Sequence, residues 1–253
     1  DGNFNFEQIK KIKQFPDKNF FKDFVTDFSN FEEISKNWIV AQDKINLDGN
    51  IKLFKTHQGQ YIVSNNHFTN KDNTIAKIYI VRDPRNLVKS VSNHFSLSIE
   101  EAYKFLISPE IIGNGLSWEE RKDGIKCLLG KWNDHYNSWT RSKENLLVIK
   151  YEDLVSNPMN ELLRIIEFLK KYIKFKTDDE KNIKILKTTS FDNLKQMENK
   201  GLFKENVINK ETKSKVNFFH LGPKNKWQNS LDKEIIKTIE NKFKNEMIEL
   251  GYI

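Results

Sequence analysis

The sequence predicts an α/β protein in which helices flank a central parallel sheet, and two strand–helix pairs are the reason. The apolar, β-branched run at residues 78–81 indicates a fully buried strand, and a helix with one apolar face follows at 84–95. A second apolar run at 145–150 is followed by a helix that begins at Pro158. Strands that alternate with helices are typical of layered α/β folds. We therefore expect one domain of this class over residues 1–253.

The junction between the first strand and its helix predicts an anion-binding site. Arg82 ends the strand, Asp83 stands at the position of a helix N-cap, and Pro84 takes the first helical position. Ser90 lies farther along the helix, on the same face as Asp83. A cation, a hydroxyl and a helix N-terminus would then be available to one anion, most plausibly a phosphate. A structural ion pair between Arg82 and Asp83 is the alternative, and it stays open at this point.

The remaining elements follow from apolar spacing and turn residues. Residues 17–45 carry aromatic side chains at helical spacings, and such a stripe predicts core. Residues 51–55 predict a short strand, and residues 113–115 predict a loop. Further helices are predicted at 3–15, 98–108, 118–142, 158–169 and 178–187, from Phe191 onward, and at 231–250.

His57 is the predicted general base. It follows the 51–55 strand, so it would lie at the carboxyl end of that strand, on the edge assigned to Arg82 if the two strands run parallel. Imidazole titrates near neutral pH, which suits proton transfer. Lys55, two residues earlier in an extended stretch, would point the same way and could stabilise negative charge on a transferring group. The alternative is a surface histidine beside a surface lysine.

Composition restricts the function without naming it. The net charge is +7 and 30% of the residues are charged, which favours anionic ligands. The positive charge is dispersed along the chain, so we expect no nucleic-acid partner. No apolar run approaches the ~18 residues of a membrane span. The single Cys127 excludes a disulfide framework and predicts a cytoplasmic location, and neither it nor the histidines show metal-ligand spacing.

An ordered set of short motifs carries a resemblance to a known family. None of the ten glycines forms a GxGxxG or GxxxxGK[ST] phosphate loop, so a nucleotide-type α/β chain is either incomplete or binds something else. The motifs are KTH (55–57), IYIVRDPRNLVKSVSNHF (78–95), YEDLVSNPMNELLRIIEFL (151–169), TTSFDNLK (188–195) and GPKNKWQN (222–229). In order and spacing they resemble the cytosolic-type sulfotransferases, which transfer a sulfuryl group from 3′-phosphoadenosine 5′-phosphosulfate (PAPS). The resemblance covers about residues 51–253.

The resemblance implies a P-loop-NTPase-like sulfotransferase fold and a role for each matching residue. His57 would take the proton of an acceptor hydroxyl or amine, and Lys55 would lie near the phosphosulfate. PAPS would be the co-substrate, and no metal is implied. The implied cofactor-binding residues are Arg82 and Ser90 for the 3′-phosphate, Tyr151, Thr189 and Phe191 for the adenosine, and Phe218 and Gly222 on the last cofactor-binding segment.

Two departures from the family pattern bear on activity. Members open with a strand and a PKSGTTW-type loop that cradles the 5′-phosphosulfate, and residues 1–253 contain neither. Asp1 falls about where the helix after that loop should end, so we expect an N-terminally incomplete domain. The Arg-Lys-Gly of the family is replaced by residues 220–222 (His-Leu-Gly), which removes two cations and leaves Lys224 or Lys226 as substitutes.

Two interpretations therefore stand. The first is a PAPS-dependent sulfotransferase that acts on a small-molecule or glycan acceptor. The alternative is a catalytically deficient nucleotide- or polyanion-binding protein of the same fold. The sequence does not indicate the acceptor, whose pocket we expect at 58–74, 108–117 and 202–217, and the oligomeric state stays open, a homodimer included.

Overall fold

A computed structural model describes residues 5–9, 11–112, 125–203, 207–208 and 213–253. The chain forms two compact units. Unit 1 consists of Asp1–Lys11, Ile80–Ile107 and Leu147–Ile253, and unit 2 consists of Ile12–Tyr79 and Ser108–Leu146. The predicted loop at 113–115, the first part of the predicted helix at 118–142 and parts of the stretches expected to bind the acceptor lie outside the described residues.

The described residues form helices and short strands, some of which follow one another in runs of the same type. The helices are α1 (Phe6–Ile9), α2 (Phe31–Lys36), α3 (Trp38–Asn46), α4 (Pro84–Phe95), α5 (Ile99–Ile107), α6 (Trp132–Thr140), α7 (Tyr151–Ser156), α8 (Pro158–Lys170), α9 (Asp179–Thr188), α10 (Phe191–Asn199), α11 (Lys233–Lys242) and α12 (Lys244–Glu249). The strands are β1 (Lys13–Gln14), β2 (Phe54–Lys55), β3 (Ile62–Val63), β4 (Asn66–His67), β5 (Lys77–Val81), β6 (Ile111–Ile112), β7 (Cys127–Leu128), β8 (Leu146–Lys150), β9 (Val207–Ile208) and β10 (Lys215–Val216).

The strands pair two by two within the described residues. β1 and β2 are parallel, with Lys13 opposite Phe54, and β5 pairs with β8. The pairs β3–β4, β6–β7 and β9–β10 are antiparallel. The predicted α/β class is confirmed. The strand before His57 (β2) and the strand before Arg82 (β5) are not paired with each other among the described residues, because β2 pairs with β1 and β5 pairs with β8.

Unit 2 is built on an aromatic core. Phe21 and Trp38 are fully buried and pack with Phe15, Phe68 and Trp139. Trp38 and Trp139 meet the ring of Phe68 edge-on, at centroid distances of 5.3 and 6.0 Å. Such edge contacts suit the quadrupoles of aromatic rings. The prediction that the aromatic stripe of residues 17–45 is core is confirmed.

The helix α4, with the last two residues of β5, belongs to unit 1. Asp83 is the N-cap of α4, and its side chain accepts from the backbone N–H of Arg85. Pro84 occupies the first turn, and Ser96 ends the helix in the left-handed conformation, with φ 55°. Val88 is fully buried on the face of α4 that packs with α5 and α11. The predicted helix is confirmed with the predicted cap.

Several sequence predictions are wrong in detail. Ile78 and Ile80 are 39% and 60% exposed, so only one face of β5 is covered by the described residues. In the described part of the predicted helix at 118–142, Cys127–Leu128 form β7, Gly130 has φ +72°, and α6 begins only at Trp132. The single helix predicted at 231–250 is observed as two helices, because α11 ends at Lys242 and α12 begins at Lys244. In the 3–15 stretch, only α1 is helical within the described residues, and β1 follows it.

Candidate functional site

At the predicted anion site, the Asp83 carboxylate pairs with one of the two arginines that are near it in sequence. The guanidinium of Arg85 contacts the Asp83 carboxylate, with Nη2 2.7 Å from Oδ2 and Nε 3.0 Å from Oδ1. Both side chains are 6% exposed, so this is a buried ion pair that fixes the start of α4. Arg85, rather than Arg82, is therefore the structural partner of Asp83.

Arg82 instead joins three of the other residues that were predicted to bind the nucleotide. Its Nη1 donates to Ser90 Oγ over 2.9 Å, and its guanidinium carbon lies 4.2 Å from the centroid of the Tyr151 ring. Its Nη2 lies 3.5 Å from the carbonyl oxygen of Gly222, at the long limit of a hydrogen bond. Residues far apart in sequence thus meet around one cation.

The electrostatics of Arg82 favour an anionic ligand. Burial lowers the pKa of the guanidinium, whereas Tyr151 and Glu152 raise it. An arginine stays charged in such a setting, and a partly desolvated cation attracts an anion more strongly than one in water does. Its Nε is buried and has no hydrogen-bond partner among the described residues. A buried donor without a partner is costly, so it indicates a place for an acceptor atom.

Ser90 accepts hydrogen bonds from two donors, and its own hydroxyl donates over a long distance to a backbone carbonyl. Its Oγ accepts from Arg82 Nη1 and from Asn225 Nδ2, the latter at 3.2 Å. The hydroxyl lies 3.4 Å from the carbonyl oxygen of Asn86, which is a weak contact for an O–H donor. The hydroxyl hydrogen can therefore turn to a stronger acceptor such as a phosphate oxygen.

Asn225 is a site residue that the sequence reasoning missed. Its side chain is buried, and its Nδ2 also donates to the carbonyl oxygen of Asn86 over 2.9 Å. The next turn is tied to α4 as well, because the backbone N–H of Trp227 donates to Asn86 Oδ1 over 2.9 Å. Its position within the GPKNKWQN motif was the signal available in the sequence, and the motif does not show which residue the asparagine contacts.

Phe191 and Gly222 form a close contact that only glycine allows. Gly222 has φ +51°, a conformation that favours glycine, and a Cβ atom there would lie within 2.5 Å of three ring atoms of Phe191. Phe191 is the first residue of α10, whose N-cap is Ser190. The ring of Phe191 and the backbone of Gly222 therefore lie in direct contact, and Arg82 approaches the same glycine.

Thr189 and Phe218 both belong to unit 1. The Thr189 hydroxyl donates to the carbonyl oxygen of Ile185 over 2.8 Å, within α9. The Phe218 ring is 44% exposed, and its backbone N–H donates to Glu198 Oε1 over 2.7 Å. Buried Glu198 also accepts from Phe219 N over 3.0 Å, so one carboxylate holds this segment. Neither Thr189 nor Phe218 has a described hydrogen bond to Arg82.

The predicted catalytic residues belong to unit 2. Lys55 is exposed at the end of β2, and its carbonyl oxygen accepts from Phe15 N over 2.9 Å. His57 follows in an irregular, partly buried segment, where its carbonyl oxygen lies 3.3 Å from His135 Nε2. His135 was not predicted to take part, because the sequence shows no metal-ligand spacing for it and does not place it after a strand. Among the described residues, no three His, Cys, Asp or Glu side chains come together as a metal site requires.

Comparison with protein families matches residues 38–251 to the sulfotransferase domain. The chain belongs to this family. It is 25% identical over 210 residues to sulfotransferase 2A2 of Rattus norvegicus, covering 81% of this chain and 67% of the relative. It is 26% identical over 206 residues to sulfotransferase 2A1 of Homo sapiens, covering 79% of this chain and 65% of the relative. The chain thus spans about two thirds of the length of these sulfotransferases.

Solved structures of the family share the fold. Mouse sulfotransferase SULT7A1, determined in complex with PAP, matches with a TM-score of 0.55 at 22% identity, over 80% of this chain and 69% of that one. Retinol dehydratase, in complex with androsterone and PAP, matches with a TM-score of 0.54 at 20% identity. The match covers 82% of this chain and 56% of that one. The sulfotransferase fold predicted from the motifs is confirmed. No helix in the described ranges has both the length and the apolar character of a membrane span.

Proposed function

We propose that the protein transfers a sulfuryl group from PAPS to a hydroxyl or amine acceptor. Family membership and the likeness to a structure in complex with PAP support this. The observation that carries the proposal is the surroundings of Arg82: a partly desolvated cation whose Nε–H has no hydrogen-bond partner in the described ranges, joined to a hydroxyl and bordered by Tyr151. A phosphate bound there would accept from the Nε–H of Arg82 and would be a stronger acceptor for the Ser90 hydroxyl than the Asn86 carbonyl at 3.4 Å.

We assign each site residue of unit 1 a role in binding the nucleotide. Arg82 and Ser90 bind the 3′-phosphate, and Asn225 holds Ser90 in position. The close contact between the Phe191 ring and Gly222 supports a flat surface on which an adenine can pack. Tyr151 and Thr189 would contribute hydrogen bonds to the adenosine, and Phe218 would lie on the last segment that contacts it; these two sets of roles rest on the family resemblance.

The reaction is a displacement at sulfur. An acceptor oxygen or nitrogen forms the new bond to sulfur while the bond from sulfur to the 5′-phosphate oxygen breaks, and PAP departs with the electron pair. His57 takes the proton that the acceptor loses, and Lys55 stabilises the negative charge that develops on the departing phosphate. No redox change occurs.

We also propose the acceptor class, the domain organisation and the cellular location of the protein. We infer a small-molecule or glycan acceptor, one sulfotransferase-like domain over residues 1–253, and a cytoplasmic location, which agrees with a single cysteine that is buried and free. We propose no nucleic-acid partner. Whether Lys224 or Lys226, both exposed, replaces the cations absent at 220–221 is a question for nucleotide titration.

Transfer of a radiolabelled sulfuryl group from PAPS to a panel of phenols, alcohols and amines tests the proposal. We expect label in at least one acceptor class with the wild-type protein and none with His57→Ala. Calorimetric titration with PAP should give similar affinities for both proteins. Tight PAP binding without transfer to any acceptor would instead favour the catalytically deficient binding protein, and absence of both would contradict the proposal.

A further inference from the structure

One face of α6 holds the backbone of residues 57–60, here called the His57 segment. The α6 residues that do so are spaced i, i+3 and i+4, which places them on one side of a helix. Three hydrogen bonds make the connection: His135 Nε2 with the His57 carbonyl at 3.3 Å, Gln60 N with Ser138 Oγ at 3.0 Å, and Trp139 Nε1 with the Gln58 carbonyl at 3.0 Å. These side chains fix the His57 segment together with one backbone hydrogen bond, from Gly59 N to the Leu128 carbonyl over 3.0 Å.

The hydrogen bonds of His135 determine its tautomer. A carbonyl oxygen can only accept, so the Nε2 that faces the His57 carbonyl must carry the hydrogen. Nδ1 then has a lone pair, and the hydroxyl of Tyr79 donates to it over 2.8 Å. Burial lowers the pKa of His135 to about 4, which keeps the ring neutral at pH 7. Both ring nitrogens of His135 are therefore occupied, one by Tyr79 and one by His57.

We infer that His135 is a positioning residue for the catalytic base, and that Tyr79 fixes the tautomer it needs for this. The inference rests on the proposed role of His57. The carbonyl that His135 holds belongs to His57 itself, so the hydrogen bond sets the plane of the peptide from which the base projects. A base displaced by a fraction of an ångström loses rate while the nucleotide site, which lies in unit 1, keeps its affinity.

Two substitutions separate positioning from a merely structural role. In His135→Gln, the amide nitrogen can reach the position of Nε2 and donate to the His57 carbonyl. In His135→Asn, the shorter amide can accept from Tyr79 but cannot reach His57. We expect kcat to fall about 10- to 100-fold in His135→Asn and His135→Gln to recover most of that loss, with the Kd for PAP unchanged in both. Asn241→Gln, at an exposed amide of α11 that has no assigned role in the site, is the control.

Equal kcat values in the Gln and Asn variants, after correction for the folded fraction, would overturn the inference, because a structural role does not depend on which nitrogen position is filled. Tyr79→Phe provides a second variant that leaves the His135 ring in place and removes the donor to Nδ1. We expect kcat to fall severalfold, by less than in His135→Asn. An unchanged kcat in Tyr79→Phe would contradict the assigned role of Tyr79.

A measurement that does not use activity keeps this inference apart from the proposed function. Nitrogen-15 NMR of labelled wild-type protein should show His135 as the neutral Nε2–H tautomer at pH 7, and the Nδ1–H tautomer would overturn the inference. If wild type transfers no sulfuryl group, or if His57→Ala keeps the wild-type kcat, the proposed function fails even where the predicted tautomer is found.

Discussion

Replacing Gly222 by alanine should damage nucleotide binding through Phe191. The Cβ atom of an alanine would lie 2.5 Å or less from three ring atoms of Phe191. Ordinary van der Waals contacts begin near 3.4 Å. The ring must therefore retreat by at least about 0.9 Å, the difference between these distances. Phe191 is only partly buried, so the ring can move, and the protein should still fold.

The expected magnitude follows from two separate costs. A left-handed φ costs an alanine about 1–2 kcal/mol of folding free energy. Displacing the aromatic surface on which the adenine packs should cost about 1–3 kcal/mol of binding, which raises the Kd for PAP about 5- to 140-fold. Gly201→Ala is the matched control, because Gly201 has φ +74° and a Cβ atom there meets nothing within 4 Å.

The assay is calorimetric titration with PAP, together with urea denaturation of both variants. Gly201→Ala should lose stability through its backbone and keep the wild-type Kd, and Gly222→Ala should lose both. Equal Kd values in the two variants would show that the Phe191 ring does not support the nucleotide. The role given to the contact between Phe191 and Gly222 would then be wrong.

Three further changes probe other parts of the molecule. His57→Ala should abolish sulfuryl transfer, measured with labelled PAPS, and leave PAP binding nearly intact; normal turnover would contradict its role as base. Asn225→Ala removes a donor to Ser90 and should raise the Kd for PAP about fivefold, or about 1 kcal/mol, by calorimetry, whereas Asn229→Ala at an exposed position should not. The folded state lowers the pKa of His135 from 6.5 to about 4, so its neutral form contributes stability above pH 6.5 that is lost as the pH falls. Urea denaturation should show a loss of about 3 kcal/mol between pH 6.5 and 4 in wild type, reduced in His135→Gln, and identical pH profiles would refute this.

Local signals predicted the strand–helix junction of unit 1 because they act within a few residues. The N-cap Asp83, Pro84 in the first turn and the apolar spacing of α4 all lie within one segment, and the contact between Arg82 and Ser90 follows from helical periodicity. The partner of Asp83 could not be chosen in this way, because Arg82 and Arg85 are both near it in sequence. The packing of α4 decides in favour of Arg85.

Contacts between distant segments were beyond the reach of sequence patterns. The hydrogen bond from Asn225 to Ser90 joins residues 135 positions apart, and that from His135 to His57 joins residues 78 apart. An apolar run also cannot show how many of its faces are covered, so Ile80 was expected to be buried and is 60% exposed. These properties depend on tertiary packing, which residue spacing alone does not encode.

Titration calorimetry with two nucleotides tests most directly whether Arg82 holds a 3′-phosphate. Wild type should bind PAP more tightly than 5′-AMP, which lacks that phosphate. Arg82→Ala should lose about 1.5–3 kcal/mol of PAP binding, as expected for a charge-assisted contact, and change little toward 5′-AMP. Equal losses for the two nucleotides, or no loss for either, would contradict the assignment of the anion site to the 3′-phosphate.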